Sequence, residues 1–204
     1  MVVNPADPNG YNIIGTLRSN QAIVTRTTSL FTEWTLALPK NLSLTAGLGV
    51  SDMKIELNDR LYVAGSTKPT QYKTNYKGLV SPHVAINKVF SEKISAYVSY
   101  SKGYKAPVSS YFFIPFTGQL NTGLKTEIGE QFEIGNKGTL LKNKLLYEVA
   151  LFDAKFKNKM TTIAVASTTS PNTTAYSYVA NGGNLINKGL EVLVKYVAYQ
   201  SASS

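Results

Sequence analysis

Apolar and polar residues alternate along several stretches of the chain. In 42–50, LSLTAGLGV, every second residue is apolar, and serine, threonine or glycine stands between them. The stretches 29–38, SLFTEWTLAL, and 93–101, KISAYVSYS, have the same period. A period of two places successive side chains on opposite faces of a β-strand. The pattern therefore predicts an all-β protein whose strands each have one apolar face.

The lengths of the strands and of their connections predict a particular kind of β-protein. We count about eight strands, the last two at 176–180 and 189–199, and several reach ten residues, whereas strands of soluble domains usually have about five or six. The short connections are predicted at 39–41, 90–92 and 142–144, and the long ones at 58–71, 105–124 and 164–175. Short turns at one end and long loops at the other are typical of outer-membrane barrels. We therefore expect an antiparallel transmembrane β-barrel.

Composition excludes several classes of protein. Hydrophobic residues make up 43% of the chain, which is enough for a core, and there is no run of about 18 apolar residues that would predict a transmembrane helix. Cysteine is absent, so disulfides, cysteine-ligated zinc and a cysteine nucleophile are excluded. His83 is the single histidine, so neither a multi-histidine metal site nor a Ser-His enzyme is predicted. We expect no enzyme and no cofactor.

The net charge of +9 is spread along the chain. A nucleic-acid surface would cluster its basic residues, so no nucleic-acid partner is predicted, and a solvated lysine-rich rim that steers anionic ligands fits better. The first residues, MVVNPADPNGYN, lack the basic and apolar regions of a secretory signal. We therefore expect either an intracellular protein or a piece of a longer one.

Four phrases resemble, in the same order, those of one protein family. The phrases are SPHVAINKVFSEKISAYVSYSKGYKAP, TEIGEQFEIGNKG, LFDAKFKNKM and VANGGNLINKGLEV, the last as a hairpin. Together they resemble the carboxyl-terminal barrel strands of TonB-dependent outer-membrane receptors, in particular siderophore receptors. The residues that carry the resemblance are Gly103, Tyr104, Pro107, Glu127, Glu133, Gly135, Asn181, Gly189 and Glu191.

The resemblance implies that 29–199 form part of a larger barrel that closes around a plug. Residues 1–28 would then be a loop and an entering strand, and 200–204 a truncated end. About eight strands cannot close such a barrel, and no plug or TonB-contacting segment is found in the sequence. A bilayer does not tolerate unpaired strand edges. We therefore expect this chain alone neither to insert stably nor to transport.

The function that the resemblance implies is energy-coupled uptake of a scarce nutrient, most often a ferric siderophore, across the outer membrane of a Gram-negative bacterium. The implied partners are outer-membrane lipid, the TonB complex acting through a plug, and a small extracellular ligand. Two alternatives stay open from the residues themselves. One is an independent eight-stranded barrel that acts structurally or as an adhesin, and the other is a soluble β-sandwich binding module.

Two sets of side chains are candidates for function. Glu133, Glu148 and Glu191 fall on the polar faces of otherwise apolar strands, so they are expected to point into the barrel, because a charge on the lipid face is costly. The long loop at 105–124 contains four aromatic residues, Tyr111, Phe112, Phe113 and Phe116. Exposed aromatic clusters often mark binding surfaces, so these four are predicted to contact the ligand. Packing on neighbouring loops is the alternative.

Overall fold

The computed structural model of the chain describes residues 20–60, 71–114 and 117–198. Nearly all of this part is strand. The strands are β1 (Gln21–Leu38), β2 (Leu42–Asp59), β3 (Gln71–Ser91), β4 (Ile94–Lys105), β5 (Phe113–Ile114), β6 (Gln119–Leu120), β7 (Glu127–Leu140), β8 (Leu145–Ala166) and β9 (Thr174–Tyr196). A short 3-10 helix covers Ser109–Phe112. Within the described ranges, the structure contains no helix that is long and apolar enough to cross a membrane.

The seven long strands form one antiparallel sheet in the order β1-β2-β3-β4-β7-β8-β9. Each long strand therefore pairs with the long strand before it, and β5 and β6 form a small hairpin inside the connection from β4 to β7. The short connections, after β1, β3 and β7, all lie at one end, which we call the lower end. The long connections lie at the upper end. In the described residues, β1 and β9 are not paired with each other, so the sheet is open.

The register aligns the apolar faces of all seven strands. Residues directly opposite each other in a sheet share a face. One row of opposite residues crosses the whole sheet and is apolar throughout: Leu36, Leu44, Ile86, Val98, Ile134, Leu151 and Leu190. We call the face with this row the outer face. Ile134 and Leu151 on it are 50% and 54% exposed, so no second layer of the described chain covers this face at its centre.

The row next to it lies on the inner face and has a different composition. Its members are Thr35, Thr45, Ala85, Ser99, Glu133, Phe152 and Gly189. Small and polar residues predominate, and the single carboxylate is one of those expected to point into the barrel. Across these two neighbouring rows, the sheet is therefore apolar on its outer face and mainly small and polar on its inner face.

The buried core lies at the upper end, on the inner face. Ile55 and Leu57 of β2 are 0% and 2% exposed, and they contact Phe112, Phe113 and Leu124 of the connection between β4 and β7. This connection therefore folds inward over the sheet. No such core forms lower down, where both faces of the sheet are open within the described residues.

Two strand predictions differ from the structure. The sheet has seven long strands, because the pair predicted at 176–180 and 189–199 is one strand, β9, and the expected hairpin in VANGGNLINKGLEV does not exist. Two adjacent register shifts, between Phe156 and Met160, let β9 stay paired with β8 where a hairpin was predicted. Asn158 and Gly183 take positive φ angles, 54° and 134°, at this irregularity. The first described strand, β1, begins at Gln21, within the segment 1–28 for which a loop and an entering strand were predicted.

Candidate functional site

The inner face carries a polar recess that extends across β4, β7, β8 and β9. Its volume is about 460 Å³, and the glutamates predicted to share a face, Glu133, Glu148 and Glu191, all line it. The Tyr97 hydroxyl donates a hydrogen bond to Glu133 Oε1, and Gln131 Nε2 donates one to Glu133 Oε2 at 2.9 Å. Both oxygens of Glu133 are therefore partnered, while Glu148 and Glu191 are exposed. In the described ranges no group of three or more His, Cys, Asp or Glu side chains could hold a metal ion.

Two of the glycines that carry the family resemblance lie beneath aromatic rings of neighbouring strands. Gly135 is directly opposite Tyr97, and Gly189 is directly opposite Phe152. A methyl group at Gly135 would come within 2.5 Å of the Tyr97 ring, and one at Gly189 within 2.6 Å of the Phe152 ring. Each ring therefore occupies the space above its glycine, which compensates for the packing that a strand glycine cannot supply.

Gly135→Ala is expected to destabilise the sheet by about 1–3 kcal/mol, because the added methyl group displaces the Tyr97 ring and breaks its hydrogen bond to Glu133. The matched control is Gly103→Ala, on the same face, where a methyl group would meet no atom within 4 Å. Equilibrium unfolding of the two variants checks the difference. Adding Tyr97→Ala should remove most of the penalty of Gly135→Ala. Equal penalties with and without Tyr97 would show that the ring is not the cause.

A second cluster fixes the irregularity between β8 and β9 at the upper end. Asn181 donates from Nδ2 to the carbonyls of Asn158 and Lys125, at 2.7 and 3.1 Å, and its Oδ1 accepts from the Lys125 amide at 2.8 Å. Asn158 in turn donates to the Thr126 carbonyl at 3.3 Å. One side chain therefore joins β9, β8 and the residues that lead into β7. We call this set the asparagine clamp.

Glu127 stands beside the asparagine clamp and is buried, at 7% exposure. Its Oε1 lies 3.3 Å from Lys159 Nζ, and its Oε2 accepts a hydrogen bond from the Met160 amide, also at 3.3 Å. Buried carboxylates need such partners, because an unpaired charge in a dry site is strongly disfavoured. Glu127 and Asn181, which the resemblance identified without a role, therefore hold the same irregular segment of β8.

The aromatic residues of the long loop are not arranged as the sequence suggested. Phe112 is fully buried and Phe113 is 8% exposed, so the expectation that they are exposed is wrong. Both fill the core at the upper end, where Tyr111 packs against them, partly buried. The alternative, packing on neighbouring segments, describes these residues. Phe116 lies outside the described residues, and ligand contact by any of the four stays a prediction.

Tyrosines of β3 hold this loop from the other side. The rings of Tyr72 and Tyr76 have their centroids 5.7 and 6.4 Å from that of Phe112. The Tyr76 hydroxyl donates a hydrogen bond to the Leu124 carbonyl at 2.8 Å. Burial raises the pKa of Tyr76 to about 12, so this hydroxyl stays a donor at any physiological pH. The loop is thus fixed by packing and by a permanent hydrogen bond.

The remaining residues of the resemblance lie near the upper end of β4. Tyr104 is on the outer face, where the Lys102 ammonium lies 5.4 Å from its ring centroid. Pro107 is fully buried where the chain leaves β4. Gly103 has no close neighbour that would explain a glycine there.

The sequence did not single out Tyr97, Phe152 or Asn158. Alternation placed Tyr97 on the polar face, but only the register between strands shows the ring above Gly135. A signal existed for Asn158, since asparagine is one of the few residues that adopt positive φ readily.

A meander of long antiparallel strands, apolar on one face and polar on the other, with short connections at one end, defines the wall of a membrane β-barrel. The family model "TonB dependent receptor-like, beta-barrel" matches residues 2–203. The chain therefore belongs to the family of TonB-dependent receptor β-barrels, which is a family of receptors and not of enzymes.

Solved structures with the same fold are outer-membrane receptors. The alcaligin receptor FauA of Bordetella pertussis is 20% identical at a TM-score of 0.56, with 88% of this chain and 28% of that chain covered. The hemophore receptor HasR of Serratia marcescens is 18% identical at 0.62, with 85% and 32% covered. The ferripyoverdine receptor of Pseudomonas aeruginosa is 19% identical at 0.58, with 87% and 21% covered. The chain thus spans about a fifth to a third of their lengths, and no curated protein matches it in sequence.

Proposed function

We propose that the chain forms part of the wall of an outer-membrane receptor that takes up a scarce nutrient, such as a ferric siderophore, with energy from the inner membrane. The observation that carries the proposal is the unbroken apolar row on the outer face, from Leu36 to Leu190. It is backed by the polar recess on the inner face and by the family to which the chain belongs.

The outer face has the composition that a lipid environment requires. A strand crosses the apolar part of a bilayer with about 9–11 tilted residues. The outer-face residues of β1 from Leu30 to Leu38 and those of β2 from Leu42 to Val50 contain no charge. We call the outer-face residues of β1, β2 and β3 from the row of Leu30, Val50 and Val80 down to the row of Leu36, Leu44 and Ile86 the apolar band. In a Gram-negative outer membrane, this band would contact lipid.

The other surfaces fit the remaining parts of such a receptor. The recess with Glu133, Glu148 and Glu191 would face the plug, which in this proposal connects the barrel to the TonB complex. The upper end, with its inward-folded loop, would face the extracellular ligand, and Tyr111, which is only partly buried, is an aromatic candidate for contact in the described part of this loop. Of the solved neighbours, one is bound to ferripyoverdine and another is in complex with a hemophore and heme, which favours an iron-containing ligand.

The alternatives have less support from the structure. A β-sandwich would cover the apolar face with a second sheet, but the described residues form only one large sheet, and β5 and β6 lie in the connection between β4 and β7 at the upper end. An independent small barrel would pair its first and last strands, which are β1 and β9 here. These two strands are unpaired with each other in the described part of the chain.

Uptake experiments test the proposal in cells that produce the protein with the whole of its natural chain. Iron-starved cells should accumulate a radiolabelled ferric siderophore, and deletion of the gene should reduce accumulation to background. Collapse of the proton gradient by an uncoupler should abolish accumulation but leave binding at the cell surface. Accumulation that survives the uncoupler would contradict energy coupling. Unchanged uptake of ferric siderophores and of heme after deletion would contradict the proposed function itself.

A further inference from the structure

Basic side chains form a cluster on the outer face directly above the apolar band. Arg26 of β1, Lys54 of β2 and Lys73 of β3 lie on rungs that follow the topmost apolar row, Leu30, Val50 and Val80. Four residues separate Arg26 from Leu30, which is about 13 Å along a strand and less in height because barrel strands are tilted. We call Arg26, Lys54 and Lys73 the basic cluster.

One carboxylate, Glu56, interacts electrostatically with all three cations of the basic cluster. Glu56 Oε1 lies 2.5 Å from Lys54 Nζ, and Glu56 is directly opposite Lys73. The hydrogen bond from Lys54 lowers the pKa of Glu56, and the charges of Lys73 and Arg26 act in the same direction. In the described part of the chain, neither Arg26 nor Lys73 has a carboxylate within ion-pair distance of its own.

The register makes this arrangement unfavourable without an external anion. Arg26 and Lys54 are directly opposite each other on neighbouring strands. Like charges in that position repel and destabilise a sheet. Asp52, two residues below Lys54, accepts a hydrogen bond from the Gly78 amide at 2.7 Å. A recess of about 250 Å³, lined by Val24, Glu56 and Lys73 among others, adjoins the cluster on the same face.

In the other half of the sheet, basic side chains on the outer face form ion pairs with carboxylates of the protein itself. On the outer face of that half, Lys102 lies 3.7 Å from Glu130, and Asp153 lies 3.7 Å from Lys155 and 3.3 Å from Lys188. These five side chains form a ladder of alternating charges across β4, β7, β8 and β9. The basic cluster on β1, β2 and β3 lacks such alternation, because Arg26 and Lys54 are directly opposite each other.

We infer that the basic cluster binds phosphate groups of lipid headgroups in the outer leaflet of the membrane. The inference rests on the proposed function only for the position of the wall in the outer membrane. Charge complementarity and height together identify the partner, because phosphates lie just above the apolar part of a bilayer and attract lysine and arginine at that level. A phosphate between Arg26 and Lys54 would neutralise their repulsion and gain charge-assisted hydrogen bonds.

Native mass spectrometry tests this inference on the protein purified from membranes with the whole of its natural chain. The probes are lipid A with both phosphates and the same lipid after enzymatic removal of the phosphates. The first variant is Arg26→Gln, Lys54→Gln, Lys73→Gln. The control variant is Lys102→Gln, Lys155→Gln, Lys188→Gln, which removes the same charge from the ladder on the same face.

The phosphorylated lipid should bind to the natural protein at least about tenfold more tightly than the dephosphorylated one, since each basic residue near a membrane surface contributes substantially. The cluster variant should lose most of this preference, and the ladder variant should keep it. Equal losses in both variants would overturn the inference, as would competition by inorganic phosphate at similar concentration, which would indicate a site for soluble anions. A protein found outside the membrane fraction would overturn the position of the wall and the lipid site together.

Discussion

Ile134→Arg is expected to destabilise the folded wall by about 2–4 kcal/mol, the cost of an arginine on the lipid face near the middle of a bilayer. Ile134 lies at the centre of the outer face, directly between Val98 and Leu151, and is 50% exposed. No carboxylate is directly opposite it, and Asp153, one row away on β8, is already paired with Lys155 and Lys188, so the guanidinium gains no free partner. Guanidinium-induced unfolding in lipid vesicles, carried out on the protein with the whole of its natural chain, measures the loss.

Ser99→Arg is the matched control for this substitution. Ser99 is adjacent to Val98 on β4, but its side chain is on the inner face, directly opposite Glu133. The same charge there meets a carboxylate and the open recess, so the free energy of unfolding should change by less than about 1 kcal/mol. If both variants lost the same stability, the two faces would not differ in their environment. The proposal that the outer face contacts lipid would then lose its main physical argument.

Phe112→Ala is expected to destabilise the upper end by about 3–5 kcal/mol, because removal of a fully buried phenylalanine leaves a cavity. The effect should be local, since Phe112 joins the long loop to β2 and β3 and contacts no residue of the apolar band. The Asn121 amide, which donates to the Phe112 carbonyl at 2.9 Å, should exchange its hydrogen faster. Hydrogen exchange resolved by segment measures this change.

Val108→Ala in the same loop provides the comparison. Val108 is 46% exposed, so its truncation should change hydrogen exchange little. The sequence alone suggested that loss of the Phe112 ring would weaken ligand affinity through lost contact. The structure predicts a different order of events, in which the loop opens first and any loss of affinity follows. Unchanged hydrogen exchange together with weaker ligand binding would instead support direct contact between Phe112 and the ligand.

The two faces of the wall could be predicted from the sequence because each depends only on local alternation. A period of two survives in a strand whatever its neighbours are, so Val98 and Ser99 were assigned to opposite faces without knowledge of the register. The lengths of the connections were predictable because they too depend on the local sequence. Most of these segments contain proline, glycine or asparagine, which end strands locally.

What depends on distant partners could not be predicted. The VANGG segment has the composition of a turn, yet it stays in β9 because the asparagine clamp and β8 hold it. The partners of Asn181 in that clamp include Lys125, 56 residues away. Likewise, the burial of Phe112 requires Ile55 and Tyr72 of other strands, and no local pattern in the sequence indicates that these residues are its partners. The resemblance identified Glu127 and Asn181, but only the structure shows that they act on one segment.

The rings of Tyr97 and Phe152 have a consequence for the bore of the barrel. An aromatic side chain that stood upright on the inner face would project into the interior and occupy space there. Because each ring lies across a glycine instead, it projects less from the inner face than an upright ring would. A larger side chain in place of either glycine would therefore raise the neighbouring ring and narrow the space above the inner face.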